Sequence, residues 1–207
     1  MTTSPRGLFD EPPGATPLSE EDKEGLIPSW IALRSELNAV EREGITDARV
    51  WAFERHGPWT PAELLSEATM SDLHKRMFGR VWKWAGDFRT RETNIGVPPY
   101  LIRSGLHDLL EDVRAQAADP TCLAWTADEL AIRFHHWLVL VHAFPNGNGR
   151  HGRLAADLLV RNLGGDMFTW GGTSLDEPGT LRERYLAVLR IADRESEYRP
   201  LVEFARS

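Results

Sequence analysis

Two apolar runs, Leu130 to Val141 and Leu154 to Leu163, flank the string His142-Ala143-Phe144-Pro145-Asn146-Gly147-Asn148-Gly149-Arg150-His151-Gly152-Arg153. Both runs carry helical spacing, whereas Pro145, Asn146, Gly147 and Gly149 favour a turn, so the chain folds here as two helices joined by a tight loop. That loop delivers the chain into a helix N-terminus. The first backbone N–H groups of a helix have no partner within it and its dipole favours negative charge at that end, which makes such a terminus an anion site. Gly147 and Gly149 have no side chain to block an approaching phosphate, and both tolerate positive φ. Arg150 and Arg153, three residues apart, project from neighbouring positions on one helix face and can fork onto phosphate oxygens. Arginines in a first turn oppose the dipole, so a bound anion gives a reason for them that a bare helix does not. His142, at the mouth of this cradle, is the side chain that can exchange a proton near neutral pH. A phosphate cradle beside a base points to transfer to or from a nucleotide.

The string resembles the signature of the Fic/Doc family, H-x-F-x-[D/E]-G-N-G-R-x-x-R, at His142, Phe144, Gly147, Asn148, Gly149, Arg150 and Arg153. Its wording is most similar to the subfamily called mobile mystery protein B. The likeness extends to Leu73-His74-Lys75-Arg76-Met77-Phe78-Gly79 and Trp82-Lys83-Trp84-Ala85-Gly86-Asp87-Phe88-Arg89, and so runs from about Thr60 to Arg190. It implies an all-α, Fic-like helical bundle with one small β-hairpin flap. The activity it implies is protein adenylyltransferase: transfer of AMP from ATP, with magnesium, to a hydroxyl side chain of a target protein. His142 would be the general base. Gly147, Asn148, Gly149, Arg150 and Arg153 would bind the phosphates, Arg153 reaching the terminal one. Asn146 stands where the family has an acid that holds magnesium; an amide oxygen is a poorer ligand for a hard cation than a carboxylate, though still a ligand. Gly149, in place of the lysine of a phosphotransferase variant, favours nucleotidyl transfer.

Residues 88–100 mix extended-chain formers (Thr90, Thr93, Ile95, Val97) with turn formers (Asn94, Gly96) and end in Pro98-Pro99, so this is where strand is expected. By the resemblance it would be the flap, with Thr93, Asn94, Ile95 and Gly96 holding an extended target peptide by strand addition; alone, it reads equally as an exposed hairpin. Many relatives are silenced by a helix of pattern [S/T]-x-x-x-E-[G/N], whose glutamate grips the second arginine. Glu24-Gly25 comes nearest, with Ser19 five residues before the glutamate instead of four. Glu24 is thus a candidate inhibitory residue toward Arg153, and a separate antitoxin-like partner is the alternative.

The rest of the chain divides into a flexible N-terminal arm (1–18), a helical segment (19–59), the Fic-like domain (60–195) and a C-terminal tail (196–207). Ser19 with Asp22, Thr60-Pro61 with Glu63, Thr126 with Glu129 and Thr180 with Glu183 read as helix starts. Trp30 to Glu43 is expected to be an amphipathic helix burying Trp30, Leu33, Leu37 and Val40, with Gly44 ending it and a further short helix from Thr46 to Arg55. A helix from Thr69 is expected to reach Trp84, and another to span Leu101 to Ala118.

The balance of 24 basic and 31 acidic residues, a net −7, argues against a general nucleic-acid binder. One cysteine, Cys122, excludes an internal disulfide and reads as a small apolar side chain. Neither a membrane-length apolar run nor a signal pattern is present in the sequence, so a cytoplasmic protein is expected. Two other readings stand beside transfer. His135, His142 and His151 could form a metal set, since His135 and His142 lie seven apart on one helix face. Alternatively, Asn146 could leave a nucleotide- or partner-binding module without turnover.

Overall fold

The computed structural model describes residues 7–10, 16–118, 124–172 and 179–207. Cys122 and most of the expected arm lie outside them. In chain order the helices are α1 (Glu20–Glu24), α2 (Arg34–Val50, continued by a π-helical turn, Trp51–Arg55), α3 (Pro61–Leu64), α4 (Glu67–Phe78), α5 (Ile102–Ala117), α6 (Ala127–Val141), α7 (Asn148–Asn162), α8 (Thr180–Glu195) and α9 (Arg199–Arg206). The fold is all-α, as expected. Among the described residues extended chain pairs only as isolated bridges, Gly7 with Leu33 and Leu26 with Trp82.

The apolar stripes dictate the packing. Phe134 and Leu138 of α6 and Leu154, Leu158 and Leu159 of α7 are buried in one core, which also takes in Leu106, Leu110 and Val113 of α5 and Met70, Leu73 and Met77 of α4. Side chains of that size gain about 1.5–3 kcal/mol each from leaving water, so the α6–α7 hairpin is a rigid support for the loop between its helices. Caps fix where the helices start. The Thr126 hydroxyl accepts from the Glu129 amide at 3.2 Å, and Thr60 and Glu63 cap each other's backbone with Pro61 in the first turn. For α8 the expected Thr180 cap gives way to Gly179, and Thr180 is the first helical residue.

Several boundaries depart from expectation. Gly44 does not end a helix. α2 runs through it, and a Cβ there would lie 2.3 Å from the Met77 carbonyl, so the glycine lets the α2 and α4 backbones touch. The separate helix expected from Thr46 is the second half of α2. Trp30 lies before α2 and is 64% exposed. α4 stops at Phe78, with turns carrying the chain on to Gly86. The expected β-hairpin at 88–100 is a loop without strand that ends in a 3-10 turn, Pro99–Leu101. Its carbonyls are taken by a side chain in place of a partner strand: the Arg89 guanidinium donates to Arg91 O at 2.8 Å and to Val97 O. No helix among the described residues is long and apolar enough to cross a membrane.

Candidate active site

α6 ends on His142 in the left-handed region, φ 52° and ψ 56°, a conformation that costs a residue with a Cβ on the order of 1–2 kcal/mol. Surrounding contacts hold it there. Arg89, buried, donates from Nε to His142 O at 2.6 Å, and its amide donates to Ala143 O at 2.9 Å. Gly96 (φ +109°) packs on the other side, where a Cβ would fall 2.6 Å from both His142 Cβ and Arg89 Nη2. His142 Nδ1 lies 3.2 Å from Val139 O. A carbonyl only accepts, so Nδ1 carries the proton and Nε2 presents a lone pair. That lone pair faces Thr16 Oγ1 at 2.8 Å. Burial pulls the His142 pKa down to about 4, against which the Val139 bond works the other way. The imidazole is therefore not poised near neutrality, as the sequence suggested; at neutral pH it is uncharged, with its one proton on Nδ1.

Gly147 (φ +81°) caps α7 without a side chain, and a Cβ there would strike the Phe78 ring at 2.7 Å. Gly149 needs no such freedom: it is helical, and a methyl group at this position would meet Arg153 Nη1 and Tyr185 Oη at an ordinary 3.9 Å. Its smallness leaves the helix terminus open. Asn148 corrects the sequence reading. Its side chain is buried and clamps the loop, accepting from Phe144 N at 2.9 Å and donating to Phe144 O at 2.7 Å, so the amide is engaged within its own loop. Phe144 anchors the loop as expected, stacked on His74 at 3.8 Å. His74 receives the Gly86 amide on Nδ1 at 3.0 Å and so donates from Nε2 to Asn146 O at 3.0 Å.

Asn146 also departs from its expected part. Its Oδ1 accepts from Gly147 N at 2.7 Å and its Nδ2 donates to Thr16 O at 3.0 Å. The amide oxygen is turned into its own loop, and no group of three or more His, Cys, Asp or Glu side chains among the described residues could hold a metal ion. The donor set does not fit a protein-held magnesium ion. Nor do the histidines assemble: His135 meets Tyr185 Oη at 2.9 Å, His151 meets Met70 O at 3.0 Å, and His142 meets Thr16.

A cavity of about 370 Å³ opens in front of the loop, lined by Thr16, His142, residues 146–150 and Arg153, with Asn94, Ile95 and Gly96 on one side and α8 on another. Thr93 does not line it; its hydroxyl turns back to Ile95 O at 2.6 Å. Arg34, Arg150, Arg153, Arg182 and Arg190 all border the space, against Asp193 as the lining carboxylate. A cavity walled this way concentrates anions despite the chain's net −7. Arg150 has a second commitment, to the buried Glu41 at 2.6 Å and over the Phe78 ring at 4.8 Å. Arg153 lies over the Tyr185 ring at 5.5 Å. Glu24, exposed at the end of α1, does not border the cavity, so the structure does not bring it to Arg153.

Sequence reasoning missed Arg89, Glu41, His74 and Thr16. Glu41 had a signal: it falls in phase with Leu37, Gly44 and Ala48, the buried stripe of α2, where a carboxylate needs a partner. Thr16 had none, lying 126 residues from His142 in a stretch without periodicity.

Residues 64–160 match the model of the Fic/DOC family. Protein adenylyltransferase fic-1 of Caenorhabditis briggsae is 30% identical over 141 residues, 64% of this chain and 25% of that protein; its Caenorhabditis elegans counterpart is 30% identical over 138 residues, with the same coverage. The chain thus spans a quarter of these relatives' length. Among solved structures, C. elegans Fic-1 (residues 134–508) superposes with a TM-score of 0.62 at 23% identity, over 89% of this chain and 51% of that one. BepC of Bartonella tribocorum, with AMPPNP bound, gives 0.64 at 16% identity, over 91% of this chain and 97% of that one. With a helix–loop–helix that carries the signature string, a family model spanning it and a fold held in common with these structures, residues 64–160 of the chain belong to the Fic/DOC family.

Proposed function

We propose that this chain is a protein adenylyltransferase, moving AMP from ATP to a hydroxyl side chain. The observation that carries the reading is the His142 imidazole: Val139 O holds its proton on Nδ1, leaving the Nε2 lone pair beside a hydroxyl and at the edge of a cationic cavity. A base must be within hydrogen-bond reach of the proton it takes, and here the tautomer is already the useful one. The acceptor oxygen attacks the α-phosphorus, its proton passes to His142 Nε2, and pyrophosphate departs. The α7 terminus and Arg153 take the charge that builds on the phosphoryl oxygens. Arg150, fixed by Glu41, adds positive potential from a set position. Since the residues do not fit a protein-held cation, no step is routed through magnesium. Support from relatives is of the same kind: fic-1 proteins bear the name adenylyltransferase, and BepC holds AMPPNP.

The acceptor would be a protein segment laid along residues 94–96, which border the cavity. With Glu24 outside the lining of the cavity that Arg153 borders, restraint by a separate antitoxin-like protein suits the site better than restraint by α1. A second reading, binding without turnover, draws on the engaged Asn146. Incubating the chain and its His142→Ala variant with ATP labelled on the α-phosphate and a cell lysate separates the two. Transfer predicts labelled protein with the wild type, none with the variant, and nucleotide binding by both; equal labelling by the variant would remove the mechanism, and binding without label in either would favour the second reading.

A further inference from the structure

Residues 16–22 lie across the site as a strap. Thr16 and Leu18 are buried. The Thr16 carbonyl accepts from Asn146 Nδ2 at 3.0 Å and the Pro17 carbonyl from Arg91 Nη2 at 3.1 Å. Asp22 receives Arg91 Nε at 2.8 Å, while its backbone carbonyl accepts from Trp84 Nε1 at 2.9 Å. Ser19 and Asp22 cap α1 and stiffen the join. The Asn146 bond ties the strap to the loop itself, and Arg91, whose carbonyl is held by Arg89, joins it to the residue that also holds His142 O.

What the strap presents is a hydroxyl. With Nδ1 of His142 protonated, the hydrogen of Thr16 Oγ1 has the Nε2 lone pair as its acceptor at 2.8 Å. Thr16 borders the same cavity as the α7 terminus and Arg153. A strap that merely plugged the site would fill that space, yet about 370 Å³ remains beside it. Acceptor hydroxyl, base and phosphate cradle thus face one volume within one chain.

We infer that Thr16 is a nucleotidyl acceptor in cis, a modification site within the chain's own N-terminal strap. The inference rests on the adenylyltransferase reading above. Thr16 Oγ1 attacks the α-phosphorus of ATP, forming the Oγ1–P bond as the bond from that phosphorus to the pyrophosphate oxygen breaks. The hydroxyl proton goes to His142 Nε2 and pyrophosphate leaves with the electron pair. Holding the acceptor on the base in advance removes the orientation cost of a bimolecular encounter, which is what the Asn146 and Arg91 bonds to the strap backbone accomplish.

The test incubates the purified full chain with ATP labelled on the α-phosphate, without and with lysate, and maps adducts by peptide mass spectrometry. Wild type should carry AMP on Thr16, at a fractional rate independent of protein concentration. Thr16→Ala should lose the self-label and Thr16→Ser keep it, the serine variant guarding against a simple loss of folding. His142-dependent labelling of lysate proteins with Thr16 unmodified would overturn the cis acceptor while leaving the adenylyltransferase reading intact. Self-label that persists in Thr16→Ala would also overturn it. Absence of protein labelling in every arm would overturn both.

Discussion

The α6–loop–α7 hairpin and the strap at residues 16–22 meet at the same histidine but are specified in different ways. In the hairpin, apolar stripes, the Thr126 cap and a glycine in the left-handed region set the backbone within a few residues of sequence. In the strap, the short α1 is the local structure, and position comes from polar contacts to residues 69 and 130 positions away. The hairpin is rigid by burial, whereas the strap is held by hydrogen bonds that net about 0.5–1.5 kcal/mol each. The proposed base and anion-binding terminus therefore sit on the stable element, and cover of His142 sits on the weaker one.

The largest effect is expected where the hairpin's local code is broken. Gly147→Ala puts a Cβ into the left-handed region and 2.7 Å from the Phe78 ring; strain and overpacking together should cost about 2–4 kcal/mol. Thermal unfolding reads this directly, and an unchanged melting temperature would mean that the loop is not as tightly specified as its geometry says.

A smaller effect is expected at the latch. Asn146→Ala and Asn146→Asp both remove the donor to the Thr16 carbonyl and should weaken strap docking by about 1–2 kcal/mol. Faster proteolysis at residues 16–22 in both variants, with little change in global melting, is the expected result. If only the aspartate variant changes behaviour, raising transfer at low magnesium, position 146 is a metal position and the latch reading fails.

That contrast also explains what could be read from sequence. That His142, the α7 terminus and Arg153 meet at one cavity was legible because the string dictates the backbone that carries them. Asn148 was only half legible: its place followed from the string, but its side chain is consumed by Phe144, a partner four residues away in its own loop. The hairpin expected at 88–100 failed because β-forming residues there meet Arg89, which takes carbonyls of that segment; propensity carries no knowledge of a competing donor. Thr16 was illegible for a like reason, since nothing near it in the chain reveals a histidine 126 residues on.

The smallest effect is expected at Glu24. Exposed at the end of a five-residue helix, it should lose no more than about 1 kcal/mol on change to glycine, with transfer unaltered. A clear gain in labelling by Glu24→Gly would mean that α1 reaches Arg153 in solution and would return inhibition to this chain.

Cover of His142 by the strap is the central claim, and nitrogen-detected NMR of the histidine ring across pH measures it most directly. Burial favours the neutral imidazole, so the folded chain should hold Nδ1–H with Nε2 unprotonated and titrate near pH 4, well below the ordinary 6.5. The stability this group contributes is then complete above pH 6.5 and is lost as pH falls through that interval. Thr16→Ala and Asn146→Ala should move the titration up toward 6.5. A His142 that titrates near 6.5 in the intact chain, or one with its proton on Nε2, would contradict a base held covered by the strap.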